Sequence, residues 1–336
     1  MAIETKYGAK MPKTHRIGIL TFKSCSQSAV HGIEEMCEVA NEQARLLGIS
    51  DQIAAARVSA GSEAEFHVSN QLCFSAIVCP PITGSVDIEM PRAVIRWLVE
   101  SADAGTTMCS ACGGAFVLAQ AGLLDHRRAT THWSLTEVFE ARYPAIDVRT
   151  EDILIEDPDI ITAGGVMAWT QLGLRLIARF LGHDVMLATA KFMLIDPADR
   201  PQRYYAPFAP RLDHGDLGIA DVQRWLHTSL GRGITLDQMA ARARTSKRTL
   251  LRRFNRATGM NPTDYCQRLR VSHSRSLLER SDISIDEIAV QCGYEDQNSY
   301  RKIFKRVVGI TPGEYRTRLA VVTSHYALAQ DRKATY

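Results

Sequence analysis

A chain of 336 residues is long enough for two ordinary domains, each burying its own core. With 46% hydrophobic and 23% charged residues, the composition is that of an average globular protein, and no apolar run is long enough to cross a bilayer. The formal net charge of +3 hides an asymmetry: Ile219–Arg318 carries 19 Lys and Arg against 10 Asp and Glu, whereas the remainder is acidic, with 21 against 27. Only one part of the chain is therefore suited to approach a polyanion, unless its charge serves merely as a solvated face.

The start, Met1–Lys13, is polar and carries no apolar stretch resembling a signal peptide. The cysteines (Cys25, Cys37, Cys73, Cys79, Cys109, Cys112, Cys266 and Cys292) are scattered irregularly. That scatter fits a reducing cytoplasm better than a disulfide framework, so a cytoplasmic protein is expected.

From Arg16 to Asp196 short apolar runs alternate with amphipathic stretches. Ile17–Phe22, Ile77–Val78, Thr106–Ser110 and Ile160–Ala163 predict buried strands. Val30–Leu47, Pro91–Ser101, Gly114–Ala121, Leu135–Tyr143, Val166–Leu181 and His183–Ile195 predict helices. Such alternation implies a mostly parallel sheet covered on both faces, an α/β domain over residues 14–196.

Within it, Thr106-Thr107-Met108-Cys109-Ser110-Ala111-Cys112-Gly113-Gly114-Ala115-Phe116 runs from a strand through small residues into a cysteine, two glycines and a helix. The pattern follows nucleophile-elbow logic, in which nearby helix N–H groups hold an anion and lower the thiol pKa. A histidine follows in Thr130-Thr131-His132-Trp133. Four roles are open to Cys112: a small buried residue, one wall of a ligand cleft, half of a Cys109-x-x-Cys112 redox pair, or a nucleophile served by His132. No metal site is expected, because no second Cys/His pair lies at ligand spacing, and His15, His31 and His67 stand alone. No cofactor is expected either.

Pro197, Pro201, Pro207 and Pro210 crowd a span without periodicity, which predicts a linker at 197–218. Beyond it an all-α domain at 219–322 is expected, followed by an unpatterned tail at 323–336.

This helical part repeats itself. Thr258-Gly259-Met260-Asn261-Pro262-Thr263-Asp264-Tyr265 recurs as Val308-Gly309-Ile310-Thr311-Pro312-Gly313-Glu314-Tyr315 at an offset of 50, and Leu236-Asp237-Gln238-Met239-Ala240 as Ile285-Asp286-Glu287-Ile288-Ala289 at an offset of 49. Each copy predicts helix, tight turn, helix. Leu236, Met239 and Ala240 pack against Leu250 and Phe254 in the first, while Ile285, Ile288 and Ala289 meet Tyr300, Ile303, Phe304 and Val307 in the second. Ser246 supplies an N-cap, and Gly293 permits a sharp turn.

Outside lie Lys247, Arg248, Arg252 and Arg256 on one second helix, with Ser246 at its start counted among the DNA-binding residues, and Gln297, Asn298, Arg301, Lys302 and Lys305 on the other. Arg, Asn and Gln pair with base edges in the major groove, while Lys and further Arg contact phosphates. With Pro262–Arg280 as a rigid joining helix, the two outer faces enter successive major grooves about 34 Å apart.

Gly293-Tyr294-Glu295-Asp296, Tyr300, Phe304-Lys305-Arg306, Gly309, Thr311-Pro312 and Tyr315-Arg316 resemble the AraC/XylS family of bacterial regulators over Ile219–Arg318. Cys112 with His132 resembles the nucleophile and histidine of the class I glutamine-amidotransferase-like superfamily, PfpI-type proteases included. Gly122-Leu123-Leu124-Asp125 and Arg127-Arg128-Ala129-Thr130-Thr131-His132-Trp133 narrow that resemblance to GlxA-like regulators, which join the two domains.

The resemblance implies a Rossmann-like sandwich that dimerises, and a ligand-responsive regulator that binds promoter DNA, works with RNA polymerase and activates a catabolic operon. It also implies an effector among amino-acid-like or quaternary-ammonium nitrogen compounds, held by Cys112, Gly113, Gly114, His132 and Gly84. Two departures from these patterns stand out, the first bearing on catalysis and the second on the ligand chemistry. Lys23–Ile33 lacks the acidic residue expected after the first strand, and Gln171 stands where Asp is expected. A non-catalytic domain is therefore expected, with Cys112 and His132 as vestiges; a cysteine hydrolase or a thiol redox sensor is the alternative.

Overall fold

The computed structural model describes residues 11–61, 66, 73–198, 202–206 and 208–318. His67, Pro201, Pro207 and the tail 323–336 lie outside the described residues. The chain divides into two compact units, with the boundary between Gln202 and Arg203.

In the first unit β1 (Thr14–Thr21), β3 (Ala76–Cys79), β4 (Thr107–Ala111) and β8 (Ile160–Ala163) occupy the middle of a six-stranded sheet. β2 (Gln52–Ser59) and β7 (Leu154–Asp157) are its edges, in the order β2-β1-β3-β4-β8-β7. All pairings are parallel except β7 with β8. The four predicted strands are the central ones, buried on both faces. The edges were not predicted. β2 reads Gln-Ile-Ala-Ala-Ala-Arg-Val-Ser and buries only Ile53 and Val58, so it pairs with β1 along its whole length without looking like a strand.

Helices cover both faces. On one side α1 (Gln27–Leu46) packs with Trp169 and Leu172 of α5 (Trp169–Leu181) and Val185 of α6 (His183–Phe192). On the other, α2 (Arg92–Asp103), α3 (Ala115–Gln120) and α4 (Thr136–Arg142) bury Trp97, Phe116 and Phe139. α1 starts three residues before its predicted bound because the Ser26 side chain accepts the Ala29 N–H. A short two-stranded pairing joins β5 (Arg128–Ala129) to β6 (Asp147–Val148).

The predicted linker at 197–218 holds more order than its prolines suggest. Gln202 is 2% exposed and belongs to the first unit, where Oε1 accepts the Trp133 N–H at 3.0 Å and Nε2 donates to the Thr131 carbonyl at 2.8 Å. In the second unit Arg275 donates to the carbonyls of Tyr204 and Ala206, at 2.9 and 2.6 Å.

The second unit is wholly helical among the described residues: α7 (Leu217–Ser229), α8 (Leu236–Arg242), α9 (Lys247–Thr258), α10 (Pro262–Arg280), α11 (Ile285–Gln291), α12 (Gln297–Val308) and a closing helix at 312–318. The sequence repeat becomes a structural one. Thr235–Gln238 and Ser284–Glu287 form reciprocal capping boxes at α8 and α11. Ser246 and Asp296 cap α9 and α12, and Gly259 and Gly309 end them in left-handed conformation. Phe254 stands edge-on to Tyr265 in one core, as Phe304 does to Tyr315 in the other.

The two tight turns differ. Gly293 has φ +78°, and a Cβ there would meet Arg232 at 2.7 Å, so both conformation and space demand glycine. Its counterpart in the first copy is Arg244, at φ +51°, which carries the strain of a left-handed L-residue.

Asp216 caps α7 through the Ile219 N–H and takes both a 2.8 Å and a 2.5 Å contact from Arg253 of α9. The Arg253 guanidinium holds its carboxyl down to about 2, mainly by hydrogen bonding, against the cost of burial. A carboxylate with a depressed folded pKa stabilises above its unfolded value, near 4, and loses that contribution as pH falls through 2. The side chain is a quarter exposed, so the screened contribution is about 1–2 kcal/mol. Asp216→Asn should therefore lower stability in urea at pH 7 by about that amount and flatten the loss between pH 4 and 2. Equal slopes for both proteins over that range would refute the assignment.

Candidate functional site

Every residue predicted to face DNA lies on the outside of the second unit. Arg248, Arg252 and Arg256 are exposed on α9, opposite the buried Leu250 and Phe254, and none forms a side-chain hydrogen bond or ion pair among the described residues. Lys247, also exposed, lies 2.8 Å from Asp237 of α8. Ser246 is a structural cap, accepting the Thr249 N–H at 3.3 Å and bonding the Thr249 hydroxyl at 3.0 Å.

On α12 the exposed set is Gln297, Asn298, Arg301, Lys302 and Lys305, opposite Tyr300 and Phe304. Arg301 donates to Asp286 of α11 at 2.9 Å, and the Gln297 amide nitrogen is satisfied by the same carboxylate at 3.0 Å. Asp237 and Asp286 occupy the same place in the repeat, and each ties its recognition helix to the helix before it. The repeat alignment carried that signal, yet neither aspartate was singled out. Arg306 is anchored to Gln267 of the joining helix, with Asp264 3.7 Å away. Asn255 near the end of α9 and Arg306 near the end of α12 border one cleft of about 540 Å³ with Asp264 and Arg268 of the joining helix.

Arg270, on the joining helix, was also missed. Its guanidinium donates to the carbonyls of Leu230 and Gly231 at 2.9 Å each and of Gly293 at 3.1 Å. It thereby ties the first half of the unit to the turn of the second.

In the first unit Cys112 follows β4 at φ +53°, the strained strand-to-helix turn that the sequence predicted. Gly113 and Gly114 are needed for close approach. A Cβ on Gly114 would lie 2.2 Å from the Cys79 carbonyl oxygen, and one on Gly113 would press on Ile82 and Val86. That loop also carries Gly84, exposed at φ +95°, where a Cβ would meet nothing within 4 Å. The elbow lies at the carboxyl ends of the parallel strands, where open α/β sheets bind ligands.

The thiol itself contradicts one expectation. Cys112 is 4% exposed, and burial pushes its pKa up, opposed only in part by the Gly113 N–H. The elbow does not lower it, because desolvation disfavours the thiolate more than one N–H favours it. Cys109 is fully buried and its thiol is pushed higher still. His132 accepts the Ser134 N–H at Nδ1, which also lies 2.7 Å from the Ser134 hydroxyl, and burial lowers its pKa. Among the described residues no hydrogen bond joins His132 to the Cys112 thiol. What reaches the elbow is Thr131, whose hydroxyl donates to the Cys112 carbonyl at 2.8 Å. Gln171 bonds its neighbour Thr170 at 2.8 Å.

A doubly wound α/β domain with an elbow cysteine, followed by a duplicated helix-turn-helix unit, defines a two-domain regulator architecture. The DJ-1/PfpI family model matches residues 67–179, and a helix-turn-helix domain model matches 239–318. The helix-turn-helix-type transcriptional regulator GlxA of Rhizobium meliloti is 30% identical over 261 residues, covering 76% of this chain and 78% of that protein. The regulator CdhR of Pseudomonas aeruginosa is 28% identical over 228 residues, covering 68% of each. Among solved structures, the DNA-binding domain of AdpA in complex with a target DNA is 37% identical, with a TM-score of 0.29, covering 30% of this chain and 91% of that one. The chain belongs to the GlxA-like family of AraC-type helix-turn-helix transcriptional regulators.

The buried elbow thiol yields a direct test. On native protein at pH 7.5, iodoacetamide should label exposed Cys73 first and Cys112 at no more than about one tenth of that rate, read by peptide mass spectrometry. Faster labelling at Cys112 would show an activated nucleophile.

Proposed function

We infer that this chain is a ligand-responsive, sequence-specific transcription regulator that binds promoter DNA through α9 and α12. One observation carries the reading. Two helices in a duplicated scaffold, each capped at the same position, present Arg248, Arg252 and Arg256, and Asn298, Lys302 and Lys305, to solvent. Within such a face arginine, asparagine and glutamine read base edges, and lysine sets register through phosphates. The joining helix α10 and Arg270 support entry into adjacent major grooves.

The first unit acts as the effector-binding and dimerising half. Its effector site is formed by Cys112, Gly113, Gly114, His132 and the Gly84 loop and takes a small nitrogenous metabolite of the amino-acid or quaternary-ammonium kind. The domain is not catalytic: burial raises the Cys112 pKa, and among the described residues no hydrogen bond joins its thiol to His132, whose Nδ1 meets Ser134. The regulator works in the cytoplasm as a homodimer, activating a catabolic operon through RNA polymerase.

Arg252→Ala and Asn298→Ala should each cost about 1–3 kcal/mol of DNA affinity and relax preference at one base pair, whereas Lys305→Ala should weaken all duplexes alike. Gel-shift titrations on a selected duplex and on scrambled DNA measure this; unchanged preference in both variants would sink the interface. For the effector, a thermal-shift screen of full-length protein against nitrogenous metabolites should find one that raises the melting temperature by about 5 °C at saturation. The shift should vanish in His132→Ala.

A further inference from the structure

The outer face of α9 carries a residue that the cationic pattern does not explain. Leu251 is 40% exposed and does not join the core of its half, although its neighbours Leu250 and Phe254 do. Three residues before it is Arg248, and four residues to either side are Lys247 and Asn255, so helical spacing puts it among the exposed polar groups. A lone exposed leucine on a random surface needs no explanation. This one borders the exposed arginines of a recognition face, and its repeat partner on α12 is Arg301, the side chain held by Asp286.

We propose that Leu251 is a specificity-determining residue that recognises the 5-methyl group of a thymine in the first half-site. The proposal rests on α9 lying in a major groove. In that groove thymine is the one base that offers a methyl, and an aliphatic side chain meets it by apolar contact rather than by hydrogen bonding. The two halves therefore read by different chemistry. α9 recognises a methyl between flanking arginines, while α12 presents Arg301 at the same place.

The test uses the full chain. Duplexes are selected from a randomised pool, and each thymine of the selected site is then replaced singly by deoxyuridine, which deletes one methyl and nothing else. At one thymine the exchange should weaken the unmodified protein about fourfold, the worth of one buried methyl. Leu251→Ala should bind the thymine duplex about that much more weakly and no longer distinguish thymine from uracil there. Leu251→Gln, a polar replacement on a solvated face, should move the selected base towards adenine, which glutamine pairs with bidentately.

If no uracil exchange affects the unmodified protein, or if Leu251→Ala responds as strongly as it does, the assignment of Leu251 is overturned while DNA reading by α9 stands. If instead the pool yields no common sequence, or Arg252→Ala binds it undiminished, the interface itself is wrong and Leu251 falls with it.

Discussion

Two small helical cores hang on one long helix in the second unit, and the Arg270 guanidinium fixes one core against the other. Along α10, Tyr265, Cys266 and Leu269 belong to the first core, and Val271 and Leu278 to the second. A helix buried alternately on two sides sets distance but not rotation. Arg270 sits between these sets, and its planar fork holds the carbonyls of Leu230 and Gly231 from one half and Gly293 from the other. It also lies over the Tyr294 ring. A lysine could supply the charge but not three fixed donor directions. Each charge-assisted bond is worth about 1.5–3 kcal/mol where water is displaced. Because Gly293 is the turn that launches α12, the same side chain that joins the halves also aims the second recognition helix.

On that frame the two copies agree where they build and differ where they face outward. Capping boxes, N-caps, left-handed glycines and the buried Phe–Tyr pair recur position by position. The outer residues do not: Arg248 faces Asn298 across the repeat, Leu251 faces Arg301, and Arg252 faces Lys302. Even the shared aspartate holds different partners, Lys247 in one copy and Arg301 with Gln297 in the other. The scaffold is thus repeated under two chemically unlike outer faces.

How much of this was legible depended on the range of the interaction concerned. β1, β3, β4 and β8 are buried on both faces, so their apolar runs declare them; β2 and β7 are edges whose alanines and acidic residues do not. Caps and glycine turns act within one helical turn, and Ser246 and Gly293 were readable for that reason. The polar side chains that hold distant segments together left no periodicity to read. Gln202 bonds residues about 70 positions away, and Arg270 reaches across 40. The strained turn at Cys112 followed from small residues ahead of Gly113–Gly114, but the state of its thiol did not, because burial is a property of the assembled loop around Ile82 and Val86.

That turn raises the question of why a strained backbone persists without a reactive thiol. A left-handed L-residue costs roughly 1–2 kcal/mol, and an enzyme uses that strain to aim a nucleophile. Here the strain is held by packing: Gly114 lies against the Cys79 and Pro80 carbonyls, and Thr131 bonds the Cys112 carbonyl from the other side. Thr131 is also the residue whose own carbonyl accepts Gln202, the last residue of the first unit. The segment Thr130–Trp133 is thus bonded both to the elbow and to the point where the chain leaves the domain. A ligand changes a conformational balance only by binding its two states unequally. The elbow is rigid because its neighbours are close-packed and Thr131 is bonded on both sides.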